Sequence, residues 1–117
     1  SVKSLKKEIN ERFAIISEMT GSKNYLVSDY PEWQYKLESP IRELMKTVYG
    51  DLYGKELKVD AIHAGLECGF LKEKVGDIDM ISLGPNLFDV HTPYEKLSIS
   101  STERTFNFVC EVLKRLK

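Results

Sequence analysis

The sequence predicts an α/β fold with helices packed on a small mixed sheet. Three observations carry that expectation. Apolar residues recur at helical spacing in several segments, they alternate or cluster in short runs between those segments, and glycine or proline closes most of the runs. A chain of 117 residues holds one domain, or one and a piece. It can bury roughly two thirds of its unfolded surface, enough for a modest core without disulfides or structural metal.

The first helix is read from Val2, Leu5, Ile9, Phe13 and Ile16, which share one stripe at a period of 3.6, and Gly21 stops it. Tyr25-Leu26-Val27 reads as a short strand, and Pro31 then leaves the sheet because it cannot donate to a ladder. Glu32 to Ser39 reads as a linker. Ser39-Pro40 is an N-cap followed by proline at the first helical position, and the second helix carries the stripe Ile41, Leu44, Met45, Val48, Tyr49 and Leu52 to a stop at Gly54. Leu57 to Ile62 reads as a strand, Gly65 to about Lys74 as a short helix, and Ile78 to Leu83 as another strand ended by Gly84-Pro85, together a βαβ unit. Ser100 and Glu103 have capping-box spacing before a last helix whose stripe is Phe106, Val109, Cys110, Leu113 and Leu116.

The charge balance is 17 Lys+Arg against 18 Asp+Glu, a net charge of −1, which gives no field to attract nucleic acid or an anionic membrane. No apolar run approaches the roughly 18 residues that span a bilayer, so the chain reads as soluble and cytoplasmic. Cys68 and Cys110 lie inside apolar patterns without C-x-x-C spacing and read as a reduced, buried pair rather than a disulfide or a zinc knot. The phosphate-loop, dinucleotide-loop, H-E-x-x-H and G-x-S-x-G motifs are all absent.

Chemistry in α/β sheets gathers at the carboxyl ends of strands, and two segments occupy that place. One is His63-Ala64-Gly65-Leu66-Glu67-Cys68-Gly69, and the other runs from Gly84 to Glu95; they contain both histidines of the chain. His91 precedes Thr92-Pro93-Tyr94-Glu95, an N-cap, a proline at the first helical position and a glutamate three residues after the cap, which together fix the backbone beyond the imidazole. By spacing alone His91 is either a metal ligand or a polar loop residue before a capped turn. His63 is either a site residue or a satisfied strand-end histidine, and Glu67 either a site carboxylate or a surface charge.

The run from Ala61 to Gly69, followed by Asp79-Met80-Ile81-Ser82-Leu83-Gly84-Pro85 and by His91-Thr92-Pro93-Tyr94-Glu95, closely resembles the C-terminal portion of the aminoacyl-histidine dipeptidase (Xaa-His dipeptidase) family. The resemblance covers nearly the whole chain. It implies the C-terminal part of a zinc-exopeptidase catalytic domain (residues 37–117) and a remnant of the inserted lid, or dimerisation, domain (residues 1–36). It also implies two zinc ions per active site, other divalent metals being alternatives, with a water activated between metals about 3.5–4 Å apart. The implied substrates are Xaa-His and other dipeptides, and the implied assembly is a homodimer. On the matching positions His91 would be a metal ligand. His63 would hold the substrate carboxylate where related exopeptidases use an arginine, and Glu67 and Gly84 would line the pocket.

The family's H-x-D motif, its Glu-Glu pair with the general base, and its remaining metal carboxylates have no counterpart in this sequence. The chain is therefore expected to be a fragment, inactive without the rest of the parent polypeptide. A stand-alone, non-catalytic binding module of the same fold is the alternative.

Overall fold

The computed structural model describes residues 2–62 and 64–116. The described residues form four helices and one hairpin: α1 (Val2–Thr20), α2 (Pro40–Tyr53), α3 (Glu67–Val75), β1 (Leu87–Phe88), β2 (Lys96–Leu97) and α4 (Ile99–Arg115). They belong to two compact units, Ser1–Lys36 with Ile62–Ile78 and Leu37–Ala61 with Asp79–Lys117.

In the second unit α2 begins where the sequence indicates. The Ser39 hydroxyl accepts the Arg42 N–H at 3.2 Å, and Pro40 needs no partner for a missing donor. Asp79, far along the chain, completes the cap: one carboxylate oxygen accepts the Ser39 hydroxyl at 2.8 Å and the other accepts the Ile41 N–H at 3.0 Å. An anion at a helix N-terminus also meets the positive end of the helix dipole. Asp79→Ala should lower the stability of this unit by about 1–2 kcal/mol, with Asp79→Asn retaining part of the cap. The urea midpoint checks this, and an unchanged midpoint for the alanine variant would contradict it. Gly54, at φ 62°, ends α2 in the left-handed conformation, and its N–H reaches Gly50 O at 2.8 Å.

The core of this unit is Met45 and Val48 from α2 with Phe108 and Val112 from α4, flanked by Ile41, Leu44, Tyr49, Tyr53, Leu57 and Ile81. Tyr49 meets the Phe108 ring edge-on at a centroid distance of 5.5 Å. The Tyr53 hydroxyl donates to Arg104 O at 2.9 Å, and Arg115 bridges to Asp51. The hydrogen bond from Arg115, and then that from Lys114, hold the Glu111 carboxyl below its ordinary value of 4.5.

Four expectations need correction. The inward face of α4 carries Ser101, Phe108 and Val112, whereas Phe106 is 68% exposed and Leu113 60% exposed. The helix is apolar on two sides, and contact with α2 selects the face that periodicity alone did not. The N-cap of α4 is Ser98, not Ser100, because β2 ends at Leu97 and brings the Ser98 hydroxyl to the Ser101 N–H. Residues 25–27, 57–62 and 78–83 form no ladder among the described residues. The only strand pairing described is antiparallel, Leu87 opposite Leu97 and Phe88 opposite Lys96, so the βαβ pairing is not made. A strand needs a partner for its N–H and C=O groups, and the described residues offer none to these three. Finally, residues 92–95 form a single turn rather than the start of a helix.

In the first unit α1 forms as expected and stops at Gly21, at φ 68°. Its stripe is uncovered: Leu5, Ile9, Phe13 and Ile16 are all 45–58% exposed. The Lys6 ammonium holds residues 29–30 by an ion pair with Asp29 and a hydrogen bond to Tyr30 O. No described helix is long and apolar enough to cross a membrane. Cys68 and Cys110 are both free thiols, but each is half-buried rather than buried as the apolar pattern suggested.

Candidate functional site

The two segments singled out in the sequence lie in different units. In the first, Glu67 opens α3 and is exposed. The two glycines beside it are required by packing. A Cβ on Gly65 would stand 2.5 Å from the Tyr30 ring, and a Cβ on the buried Gly69 would strike the carbonyl oxygen of Pro31. The Tyr30 ring also meets Phe70 edge-on at 4.6 Å. The glycines of this loop thus admit residues 30–31 against α3, a contact for which the sequence offered no signal beyond the glycines themselves. His63 lies outside the described residues.

In the second unit the hairpin is seated on the start of α4. Ser101, almost fully buried, accepts the Asn86 N–H at 2.9 Å and donates to Ser98 O at 2.9 Å. Ser98 N–H in turn donates to Asn86 O at 3.0 Å, closing the hairpin base. Gly84 enters this hairpin from an exposed position, and a Cβ there would meet nothing within 4 Å.

The hairpin loop, residues 89–95, carries His91. Asp89 at φ 51° and His91 at φ 63° both occupy the left-handed region, where aspartate and histidine are tolerated better than most residues. The loop is braced internally. The Thr92 hydroxyl donates to Asp89 O at 2.7 Å and accepts the Tyr94 N–H at 3.2 Å, while Glu95 N–H donates to Thr92 O at 3.2 Å. The Glu95 carboxylate accepts the His91 N–H at 2.9 Å. The sequence pattern pointed to Glu95 as part of a cap on Thr92, and the bond made instead is to the residue before it. The His91 side chain is exposed, and its ring has no hydrogen-bond partner among the described residues.

An exposed imidazole on a braced loop suits one coordination bond. It does not amount to a metal centre, since structural and catalytic zinc sites take three or four protein ligands. Among the described residues no three His, Cys, Asp or Glu side chains converge to hold an ion. These residues therefore do not make a two-metal site by themselves.

No family model matches the chain. Over 101 residues it is 34% identical to the cytosol non-specific dipeptidase of Escherichia coli (strain K12), a match covering 86% of this chain. Its structure resembles the crystal structure of aminoacylhistidine dipeptidase from Vibrio alginolyticus, with a TM-score of 0.80, 28% identity and 97% of this chain covered. The chain is similar to these dipeptidases in sequence and in structure. It spans about a fifth of their length, 21% of the first protein and 23% of the second. The helix-rich layer and small sheet agree with the fold class implied by the sequence.

Proposed function

We propose that this chain is the C-terminal part of a cytoplasmic, zinc-dependent dipeptidase. It would contribute one metal ligand and part of the substrate pocket, and would be inactive without the rest of the parent polypeptide. The observation that carries this reading is the 34% identity along 86% of the chain to a dipeptidase of which it represents only 21%. Three structural features support it. The second apolar face of α4 and the stripe of α1 are uncovered, as pieces of a larger layered protein would be. The segments 57–62 and 78–83 have strand-like sequences and no ladder among the described residues. The imidazole of His91 is presented with no cluster of further metal ligands among the described residues.

In this reading residues 1–36 are the end of the lid, or dimerisation, domain, and residues 37–117 belong to the catalytic domain. His91 is a zinc ligand; the metals, when bound, activate water and polarise the scissile carbonyl. His63 holds the substrate carboxylate, and Glu67 and Gly84 line the pocket. The open space around Gly84 leaves room for a ligand there. The parent enzyme acts on Xaa-His and other dipeptides and is a homodimer.

Calorimetric titration of the chain with zinc tests the proposal. The expected result is no tight site and no dipeptide hydrolysis, because a single imidazole cannot exclude water from the metal. A tight one-to-one site lost in His91→Ala, or zinc-dependent hydrolysis by the chain alone, would overturn the fragment reading and favour a self-sufficient protein.

A further inference from the structure

His91 stands at φ 63°, in the left-handed region that histidine enters more readily than most residues but still at a conformational cost, so contacts to its backbone help decide whether it stays there. The direction of the Cα–Cβ bond relative to the hairpin depends on φ, so relaxation to a negative φ would swing the imidazole away from its present exit. The group in contact with the His91 backbone is Glu95, whose Oε2 lies 2.9 Å from the amide nitrogen. Glu95 is itself placed by the turn in which its N–H donates to Thr92 O. The neighbouring Lys96 ammonium lies 3.8 Å from Asp89, on the far arm of the loop. Among the described residues no cation pairs with the Glu95 carboxylate, so it remains available to the amide.

We propose that Glu95 is the positioning residue of His91: its carboxylate, accepting the His91 amide N–H, maintains the left-handed turn from which the imidazole is presented. The functional value of this role rests on reading His91 as a ligand. The positional assignment stands without it.

The test uses the full chain, labelled with ¹⁵N, in wild-type, Glu95→Ala and Glu95→Gln forms. Two readouts report on His91 itself: hydrogen-exchange protection of its amide, and the strong cross-peak between its own N–H and Hα protons that marks a positive φ. Glu95→Ala should reduce the protection at least about tenfold, the scale of a lost hydrogen bond to a charged acceptor, and weaken the cross-peak. Glu95→Gln keeps an oxygen acceptor and should preserve the cross-peak and most of the protection. Amides of α4 should be unaffected in both, which separates loss of the turn from loss of the fold. Wild-type protection in Glu95→Ala would overturn the assignment, as would equal loss in Glu95→Gln with α4 intact. The ligand reading has its own readout, the response of the His91 ring resonances to added zinc. A weak, non-saturating response is what a lone ligand should give, whereas no response even at millimolar zinc refutes that reading and leaves the role of Glu95 standing.

Discussion

Phe108→Ala is expected to unfold the unit built on α2 and α4. Phe108 is 4% exposed and packs with Met45, Val48 and Val112, the four residues that make up the buried core. Truncating a buried phenylalanine costs about 3–5 kcal/mol through lost transfer energy and the cavity left behind. A small domain has about 5–15 kcal/mol in all, and a unit with so few buried side chains belongs at the low end. The internal control is Phe106→Ala, the same substitution two residues away on the 68% exposed face, which should change stability by no more than about 0.5 kcal/mol. Thermal melts followed by circular dichroism would show the difference. Equal effects of the two variants would mean that α4 buries the other face in solution.

Gly69→Ala should dislodge α3 from residues 30–31, and the sign of its effect is diagnostic. Alanine in a helix interior is normally better than glycine by roughly 1 kcal/mol. Here the added methyl would run into the backbone carbonyl of Pro31, which cannot rotate away as the end of a long side chain could. The expected cost is about 1–3 kcal/mol, overpacking outweighing propensity. Gly50→Ala in α2, where the nearest atom to the new methyl is a carbonyl oxygen at 3.9 Å, should instead stabilise by up to about 1 kcal/mol. Hydrogen exchange of the α3 and α2 amides in the two variants reads both effects. Stabilisation of α3 by Gly69→Ala would show that the contact with Pro31 is not made in solution.

If His91 serves as a ligand, its side chain is supplied by the sequence but its direction comes from a network closed over the following residues. Thr92 and Glu95 are visible as capping types in the sequence. Which N–H the carboxylate takes depends on the loop that the hairpin closes, and the hairpin depends on Ser101 in α4. His63, the other histidine of the resemblance, lies outside the described residues. The pairing of Gly65 with Tyr30 and of Gly69 with Pro31 joins residues more than thirty positions apart. No local pattern announces such a partner.

By itself the sequence determined what is local: α1 to its stop at Gly21, α2 from Ser39 to Gly54, the existence of α3 and α4, and the residues of the two candidate segments. Helices are legible because their hydrogen bonds, caps and apolar periods all fall within a few residues of one another. Tertiary structure alone decided which face of α4 is buried, that Ser98 rather than Ser100 caps it, and that Asp79 completes the cap of α2. It also decided that three strand-like segments stay without a ladder. The reason is common to all of these. Each depends on a partner distant in sequence, or in the case of the strands on one not present among the described residues, and no amount of local pattern specifies a partner.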